Sequence, residues 1–508
     1  MRSLADPGPQ QAPCPAPFNM AAHVLAQADA LADKVAVAVI GPDHTETMTY
    51  GALKAAVLAT GGGLLSTGFE PGDRILMRLG NTLDFPIGYL GALAVGLVPV
   101  PTSAALTAPE VSRIISDLRP RMVLRDSAVA SATGAPEMGL HTLRGLRDHA
   151  PADWHMGAPD RTGYIVYTSG TSGEPRAVEH AHRAIWARGM MMRGWYGLHR
   201  DDVVMHAGAF NWTYTLGTGL MDPWTKGATA LIPAPGTRPE DLPALIEAHG
   251  ATIFAAAPGV YRQMLTRAAM PALPRLRHGL SAGEKMPPHI MRMWTEATDT
   301  PVFEAFGMSE CSTFISSSPD APCDPAAVGR AQPGRRVAIV DDDGPVPIGT
   351  PGTIAIHRND PGLMLGYVGH PQETAQRYRG DWFLTGDVGT MDEDGQITYL
   401  GRTDDMLNAG GYRVSPVEVE QALAGAPGLN ACGVAEVEVQ PGTRIIVAFY
   451  TGARALDEEA LRTYVEPRLA RYKQPRAFVH LPQLPLGPNG KLLRRRLHQF
   501  WPQTRKLH

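Results

Sequence analysis

The chain has 508 residues, more than one hydrophobic core usually serves, so two or more domains are expected. Its composition is 44% hydrophobic and 19% charged, which excludes a fibrous or disordered chain. The formal net charge is -4, so there is no basic excess to cover a phosphate backbone, and we expect no nucleic-acid partner.

The cysteines and the N-terminus bear on the compartment. The cysteines have no CxxC spacing, which argues against a disulfide framework and a thiolate zinc site (Cys14, Cys311, Cys323 and Cys432). Residues 1–17 are rich in Pro and Ala and lack an apolar core, so they are predicted to be a loose leader and not a signal peptide. The most apolar stretch, 85–101, is too short and too interrupted to span a membrane. These features predict a cytoplasmic protein without a membrane partner.

Apolar runs of strand length alternate with runs of helical spacing from residue 18 onward. Helices are predicted over 18–32, 50–65, 82–94 and 108–118, and strands over 34–40, 75–78, 97–100, 121–124, 163–168, 203–206, 229–232, 252–256 and 302–305. This alternation predicts an α/β fold of βαβ units with largely parallel sheets. From 334 to 400, short runs separated by DG and PG turns predict a small β subdomain.

A domain boundary is predicted at residue 404, after which the chain has the length of a compact unit. Within 404–508, helices are predicted over 416–424 and 458–469, and strands over 431–439 and 444–450. The prediction is therefore a large N-terminal α/β domain, 18–403, followed by a smaller α+β domain.

The strongest local signal is a Gly/Ser/Thr-rich loop that follows an apolar strand. The strand YIVYT leads into the loop residues Thr168, Ser169, Gly170, Thr171, Ser172 and Gly173, and Pro175 and Arg176 close the loop. Glycines let the backbone approach a polyanion, hydroxyls add hydrogen-bond donors, and Arg176 adds fixed positive charge. This combination predicts a site for nucleotide phosphates, although the usual P-loop pattern GxxxxGK[ST] is absent.

The loop sequence YTSGTSGEPRAV resembles YTSGTTGxPKGV, the phosphate loop of the adenylate-forming superfamily. That superfamily contains acyl- and aryl-CoA ligases, peptide-synthetase adenylation domains and beetle luciferase. Arg176 and Ala177 stand where the family usually has Lys and Gly. Arg keeps the charge but presents a planar fork in place of a point donor.

Further segments resemble family motifs in the family's order. They are 281–284 (SAGE), 304–310 (EAFGMSE, like YGxTE), 382–387 (WFLTGD), 401–405 (GRTDD), 408–420 (NAGGYRVSPVEVE) and 485–494 (PLGPNGKLLR, like PxTxxGKxxR). Gly487 replaces the Thr of the last motif. The resemblance covers nearly the whole chain and implies a C-terminal domain that moves between two half-reactions.

The resemblance implies roles for individual residues. The catalytic residues would be Lys491, Thr168, Arg176 and Glu310, with Lys491 as the adenylation lysine and Glu310 as the Mg2+ ligand. The nucleotide would contact Thr168, Ser169, Gly170, Thr171, Ser172, Gly173, Gly283, Glu284, Glu304, Phe306, Gly307, Met308, Ser309, Asp387 and Arg402. Asp404 would be the hinge, and Gly410, Gly411, Tyr412 and Arg413 would belong to the CoA-side loop.

The acyl pocket is predicted to contain Phe210, Trp212, Tyr214, Ala282, Gly307 and Met308. The stretch 208–224 resembles one in medium-chain ligases, and GMSECSTFISSSP resembles one in benzoate-type ligases. Acetate ligases carry Trp where this chain has Gly307, which disfavours acetate. The resemblance thus implies an acid:CoA ligase that uses ATP, Mg2+ and CoA on a small aromatic or short-to-medium-chain acid.

Two other functions stay open on the sequence. One is a stand-alone adenylation enzyme that loads a carrier-protein thiol, although no carrier domain is attached. The other is a non-catalytic nucleotide-binding module, which the combination of Glu310, Asp387 and Lys491 disfavours. The sequence does not choose between a monomer and a homodimer.

Overall fold

A computed structural model describes residues 1–8, 11–168, 175–210, 213–409, 412–440, 443–487 and 491–502. The strands in the first half are β1 (Leu4–Ala5), β2 (Val35–Ile40), β3 (Thr45–Thr49), β4 (Arg74–Arg78), β5 (Val98–Pro101), β6 (Met122–Arg125), β7 (Glu137–Gly139), β8 (Thr162–Thr168), β9 (Arg176–Ala181), β10 (Val203–His206), β11 (Thr229–Pro233) and β12 (Ile253–Ala256). The strands in the second half are β13 (His278–Ala282), β14 (Val302–Met308), β15 (Ser312–Ser316), β16 (Gly329–Ala331), β17 (Val337–Asp341), β18 (Gly344–Pro345), β19 (Gly352–His357), β20 (Gly366–Tyr367), β21 (Tyr378–Arg379), β22 (Trp382–Met391), β23 (Gln396–Arg402), β24 (Leu407–Ala409), β25 (Tyr412–Val414), β26 (Ala431–Gln440), β27 (Thr443–Thr451) and β28 (Ala477–His480).

The α-helices lie between these strands, with 3-10 and π turns at several of their ends. They are α1 (Met20–Val24), α2 (Tyr50–Ser66), α3 (Asp84–Ala94), α4 (Ala108–Leu118), α5 (Leu140–Gly145), α6 (Ala184–Ala187), α7 (Gly189–Met191), α8 (Thr213–Leu216), α9 (Asp222–Lys226), α10 (Leu242–Ala248), α11 (Pro258–Arg267), α12 (Pro288–Thr298), α13 (Pro371–Gln376), α14 (Pro416–Leu423) and α15 (Glu458–Val465). Within the described ranges, no helix combines the length and the apolar character that crossing a bilayer requires.

The N-terminal part is built around two sheets with parallel cores. In the larger sheet, β14, β13, β12, β10, β11 and β2 lie side by side in parallel. In the smaller sheet, β5, β4, β6 and β7 are also parallel. The α/β fold with βαβ units is therefore confirmed.

The β-rich segment 334–400 continues the larger sheet. Strand β15 pairs with β16, β16 with β23, and β23 with β22, all antiparallel. The segment thus extends the same hydrogen-bonded sheet, because the β15–β16 and β16–β23 pairings connect the two parts. Its short strands and tight turns agree with the short, turn-separated strands predicted for this segment.

Two sequence expectations about the N-terminus are wrong in part. The helix expected over 18–32 ends at Val24, and the chain continues in turns that still bury Leu25, Ala28 and Leu31. The apolar spacing therefore indicates which side chains are buried, and here turns bury them as well as a helix would. The leader is not loose at its start, because β1 pairs antiparallel with β17.

The C-terminal part has its own sheet and apolar core. Strand β27 pairs antiparallel with β26 and parallel with β28, and helices α14 and α15 pack near them. The core of this unit includes Val419, Val434, Ala448 and Phe478. It thus has the α+β make-up expected from the sequence.

Candidate active site

The predicted phosphate loop joins two paired strands. Strand β8 ends at Thr168 and β9 begins at Arg176, and these two residues are opposite each other in the antiparallel register. The hairpin therefore holds both ends of the loop. Ser169, Gly170, Thr171, Ser172 and Gly173 lie outside the described residues, so their predicted phosphate contacts stay predictions.

Arg176 forms a two-pronged ion pair with a carboxylate on α13. Its Nε donates to Glu373 Oε2 at 2.8 Å and a terminal nitrogen donates to Oε1 at 3.0 Å. The pair lowers the pKa of Glu373, mainly through the hydrogen bond from Arg176. Only the planar fork of arginine makes this pairing, which gives a structural reason for Arg where the family usually has Lys.

The motif residues 304–310 form the end of β14 and the turn into β15. Phe306 packs on Tyr399 with ring centroids 5.7 Å apart and on Phe314 at 5.6 Å. The register of the two strands shifts between Phe306 and Gly307. Phe306, Gly307, Met308 and Ser309 are all partly exposed, so this stretch can form part of a binding surface.

Gly307 is required by the close approach of β15. A Cβ at this position would lie 2.2 Å from the Ser312 carbonyl oxygen and 2.4 Å from the Thr313 Cα. No side chain fits unless the backbone moves. The glycine is therefore explained by strand packing, independently of its difference from the Trp of acetate ligases.

We expect Gly307→Ala to cost both stability and activity. Overpacking destabilises by about 1–3 kcal/mol, and a shift of about 1 Å in the turn that carries Glu310 is expected to lower kcat by about a hundredfold. Thermal unfolding and AMP release would measure the two effects. Gly259→Ala, where a Cβ meets no atom within 4 Å, is the matched control. Unchanged activity in Gly307→Ala would contradict the packing argument.

Glu310 lies buried at the turn and is held by a tyrosine. The Tyr367 hydroxyl donates to Glu310 Oε1 at 2.6 Å, and a nitrogen of Arg377 lies 3.7 Å from the same oxygen. Tyr367 belongs to β20, which pairs with β9 beside the phosphate hairpin. The carboxylate predicted to bind Mg2+ is thus tied to the strand that carries Arg176.

Asp387 and Arg402 meet across the β22–β23 pair. They are directly opposite each other in the register, and Arg402 donates to Asp387 Oδ2 at 3.1 Å. The Tyr399 hydroxyl lies 3.4 Å from Asp387 Oδ1. Burial raises the pKa of Asp387, against the opposing effects of Arg402 and Lys491. Tyr399 also packs on Phe306, so these motifs meet at one place.

Glu304 is held by the protein itself. Lys285 Nζ donates to its Oε2 at 2.6 Å, and the Met286 backbone N–H donates to Oε1 at 2.7 Å. The side chain is buried at the level of the β13 and β14 pairing. Both carboxylate oxygens thus have protein partners, so the geometry favours a supporting role for Glu304 over the predicted nucleotide contact.

Glu284 is the neighbouring carboxylate and has a different environment. It follows Gly283, which has a φ of +96°, and its Oε1 is buried without a hydrogen-bond partner among the described residues. Burial raises the pKa of Glu284, and the charge of Lys491 is the largest opposing effect. A carboxylate in this setting is available to a ligand or to a cation.

Lys491 reaches this group of residues from the C-terminal part. Its carbonyl accepts the Gly487 N–H at 2.7 Å, and Leu486 bridges to Leu492, so the lysine sits in a short hairpin. Its charge acts on Glu284, which follows β13, and on Asp387 in β22, both in the N-terminal part. The predicted adenylation lysine and Asp387, a predicted nucleotide contact, are therefore close in this structure.

The departure at Gly487 has no packing cause among the residues that the structure describes. A Cβ there would meet Leu493 at 3.5 Å and the Lys491 carbonyl at 3.6 Å, which are ordinary contacts. None of the described residues requires glycine at this position.

The predicted hinge and CoA-side residues are described only in part. Asp404 lies in a 3-10 turn, Thr403–Asp405, directly after β23. Tyr412 and Arg413 lie in β25, whose backbone pairs with β24. Gly410 and Gly411 lie outside the described residues. Their predicted roles stay predictions.

The predicted acyl-pocket residues lie near the carboxyl ends of the parallel strands, where α/β sheets bind ligands. Phe210 is buried against Phe85, with ring centroids 5.0 Å apart. The Tyr214 hydroxyl donates to the Leu280 carbonyl at 3.0 Å, and Ala282 ends the same strand, β13. Trp212 lies outside the described residues.

Four site residues were not found from the sequence: Tyr367, Glu373, Arg377 and Tyr399. Arg377 lies beside Arg402: a Cβ on Gly386 would lie 3.4 Å from an Arg377 nitrogen and 2.9 Å from an Arg402 nitrogen. Tyr367, Glu373 and Arg377 all come from the segment 366–377, which carries no chemical motif of its own. The sequence feature that could have indicated these residues is the position of the segment just before the WFLTGD motif.

Comparisons with known proteins identify the family of the chain. The family model described as AMP-binding enzyme matches residues 24–368, and the model described as AMP-binding enzyme C-terminal domain matches residues 418–491. A 3-hydroxybenzoate–CoA ligase from Aromatoleum sp. (strain CIB) is 30% identical over 93% of this chain and 94% of its own length. The mitochondrial acyl-coenzyme A synthetase ACSM3 from Mus musculus is 27% identical over 85% of this chain and 80% of its own length.

A solved structure extends the comparison to the fold. The benzoate CoA ligase from Burkholderia xenovorans LB400 is 28% identical and superposes with a TM-score of 0.85, covering 95% of this chain and 100% of that chain. The resemblance drawn from the motifs is thereby confirmed over both parts of the molecule. The chain belongs to the AMP-binding enzyme family.

Proposed function

We propose that this protein is an ATP-dependent carboxylic acid:CoA ligase that forms an acyl-adenylate and then passes the acyl group to CoA. The observation that carries the proposal is the approach of Lys491, from the C-terminal part, to Asp387 and Glu284 in the N-terminal part. A protein that only bound a nucleotide would have no need for a cation delivered from a separate unit. The similarity to aryl-CoA and acyl-CoA ligases supports the same reaction.

The described geometry offers a place for each part of ATP. Phe306 and Tyr399 give an aromatic surface suited to a purine. Asp387, next to Arg402, is a buried carboxylate that can accept hydrogen bonds from ribose hydroxyls. Thr168 and Arg176 mark the two ends of the predicted phosphate loop. Phe306, Tyr399, Asp387 and Arg402 lie on strands of one sheet. The phosphate hairpin belongs to a separate sheet, whose strand β20 carries Tyr367, the hydrogen-bond partner of Glu310.

Glu310 has the chemistry of a Mg2+ ligand. Mg2+ keeps several waters and is bound by one or two carboxylates together with substrate phosphates. The described residues contain no group of three or more potential metal-ligating side chains, so a site completed by ATP fits better than a protein-only site. When bound, the ion would neutralise phosphate charge. Tyr367, through its hydrogen bond, would fix the orientation of the Glu310 carboxylate.

In the first half-reaction, a carboxylate oxygen of the acid attacks the α-phosphorus of ATP, and the bond to pyrophosphate breaks. An anion approaches a polyanion, so catalysis requires positioning and neutralisation of charge. Arg176 and Lys491 are the cations that this chain would place there. Lys491 is exposed.

In the second half-reaction, a thiolate attacks the acyl carbon, and the bond from that carbon to the AMP oxygen breaks. We propose that the C-terminal part turns about Asp404 for this step, withdrawing Lys491 and bringing the loop at Gly410 and Gly411 to the thiol. Two arrangements of one unit would thus serve two reactions in one pocket. The acceptor is CoA in this proposal, in keeping with the named activities of the relatives.

The test is the release of AMP from ATP in the presence of CoA and Mg2+, over a panel of acids. The panel contains acetate, butyrate, hexanoate, octanoate, benzoate and hydroxybenzoates. We expect acid-dependent AMP and the matching acyl-CoA, with the highest kcat/KM for a small aromatic or a short-to-medium-chain acid. Acid-dependent pyrophosphate exchange without acyl-CoA would point to a carrier-protein thiol instead. Nucleotide binding without any exchange would refute the proposal.

A further inference from the structure

His206 is a buried imidazole that no motif singled out. It is the last residue of β10, and it is 1% exposed. Neither Nδ1 nor Nε2 has a hydrogen-bond partner among the described residues. An unpaired buried polar group costs about 1–3 kcal/mol, and native proteins contain few of them. A ring with both nitrogens unpaired therefore calls for an explanation.

The strand register places His206 on the face of the predicted acyl pocket. His206 is paired with Ala255 of β12, and Ala255 with Leu280 of β13. Alternate residues of a strand share a face, so Ala282, a predicted pocket residue, lies on the same face one step nearer the strand end. The ring of Tyr214, another predicted pocket residue, stands edge-on to His206 with centroids 4.4 Å apart. His206 thus lies one layer below the predicted pocket wall.

A second unpaired group converges on the same place. Thr215 Oγ1 is buried without a partner among the residues that the structure describes. A Cβ built on Gly208 would lie 2.2 Å from Thr215 Oγ1 and 3.1 Å from His206 Nδ1. Both groups therefore face the glycine at the start of the predicted pocket segment 208–224. A hydroxyl and an imidazole that both lie against Gly208, with the Tyr214 ring beside the imidazole, form a small polar spot.

The charge state of His206 decides what this spot can bind. Burial, followed by the nearby charge of Arg188, lowers the pKa of His206 to about 3. At neutral pH the ring is uncharged, so it offers one N–H donor and one acceptor nitrogen. That pair matches a hydroxyl or an amino group, both of which can donate and accept. It does not match an aliphatic tail, which would leave the ring unpaired.

We propose that His206 and Thr215 form the polar floor of the acyl pocket and recognise a hydroxyl or amino substituent on the ring of an aromatic acid. This inference rests on the proposed ligase function and narrows its substrate class. A site built to hydrogen-bond a substituent discriminates strongly against analogues that lack it, because its own polar groups are then left unpaired. Unsubstituted and methyl-substituted acids would be the poor substrates.

The test compares matched acids on the wild-type enzyme and on two variants. For each ring position, kcat/KM is measured for the hydroxy, amino and methyl benzoates, with benzoate as the reference. At one ring position, we expect the hydroxy or amino acid to exceed the methyl acid by at least about tenfold. In His206→Leu and in the isosteric Thr215→Val, this ratio should fall to within about threefold of unity.

His278→Leu is the matched control. His278 is also buried and has an unpaired ring nitrogen, but it begins β13, at the end of the strand opposite Ala282. Its substitution should leave the hydroxy-to-methyl ratio unchanged. A wild-type enzyme that prefers benzoate, methylbenzoates or fatty acids would overturn the inference and leave the ligase function standing. An unchanged hydroxy-to-methyl ratio of kcat/KM in Thr215→Val and His206→Leu would also overturn it. Absence of ATP–pyrophosphate exchange with every acid would instead refute the ligase proposal itself.

Discussion

Lys491→Ala is expected to lose acid-dependent ATP–pyrophosphate exchange by a factor of about a hundred to a thousand, the usual cost of removing one preorganised charge or donor at a transition state. The charge of Lys491, which the C-terminal part supplies, acts on both Glu284 and Asp387 and opposes the rise that burial causes in their pKa values. It would meet the acid and the α-phosphate while charge develops. The loss should therefore appear in kcat for adenylation.

The same variant should still convert supplied acyl-adenylate and CoA to the thioester at a rate near that of the wild type. In the proposed second arrangement Lys491 has left the pocket, so its side chain has no part in thiol attack. Arg496→Ala is the control, since Arg496 is an exposed cation five residues further along the same segment. Normal exchange in Lys491→Ala would remove the lysine from the adenylation step.

The motif residues are the part of the site that could be predicted from the sequence. Asp387 and Arg402 each belong to a short pattern, and the antiparallel pairing of β22 with β23 brings them together. Phe306 likewise lies in a recognisable pattern, but its contact with Tyr399 joins β14 to β23, which the sheet order separates by β15 and β16. Patterns with a fixed spacing carry this information because the chemistry constrains each residue.

The supporting contacts could not be read in the same way. Tyr367 reaches Glu310 across 57 positions of sequence, and Glu373 reaches Arg176 across 197. Such pairs depend on which strands lie side by side, and periodicity in one segment does not determine that. At Gly307 the sequence identified an unusual residue but not its cause. The glycine differs from the Trp of acetate ligases, and the close approach of Ser312 explains it.

The main boundary errors have a similar origin. The segment 18–32 buries apolar residues at helical spacing, yet only Met20–Val24 is helical. The need to bury apolar side chains determines their spacing in the sequence. The hydrogen bond from Gln27 to the Thr225 carbonyl helps to hold the turns that follow the helix. Strand β1 is two residues long, too short for any alternation to appear, and it is defined by its partner β17.

Asp404→Pro is expected to leave adenylation within about threefold of the wild type and to slow thioester formation by at least about a hundredfold. Asp404 is the middle residue of the 3-10 turn Thr403–Asp405 that joins β23 to the C-terminal part. Proline fixes φ near the value that such a turn already has, so the present arrangement is retained. A rotation that changes this φ would be blocked.

The two half-reactions separate this prediction from a general loss of stability. Pyrophosphate exchange reports the arrangement in which Lys491 approaches Asp387, and thioester formation from supplied acyl-adenylate reports the other. Asp404→Ala, which leaves φ free, is the control and should slow the second step much less than proline does. Because a misfolded enzyme loses both reactions together, parallel losses in Asp404→Pro would argue against a hinge at this residue, and a selective loss of thioester formation would support it.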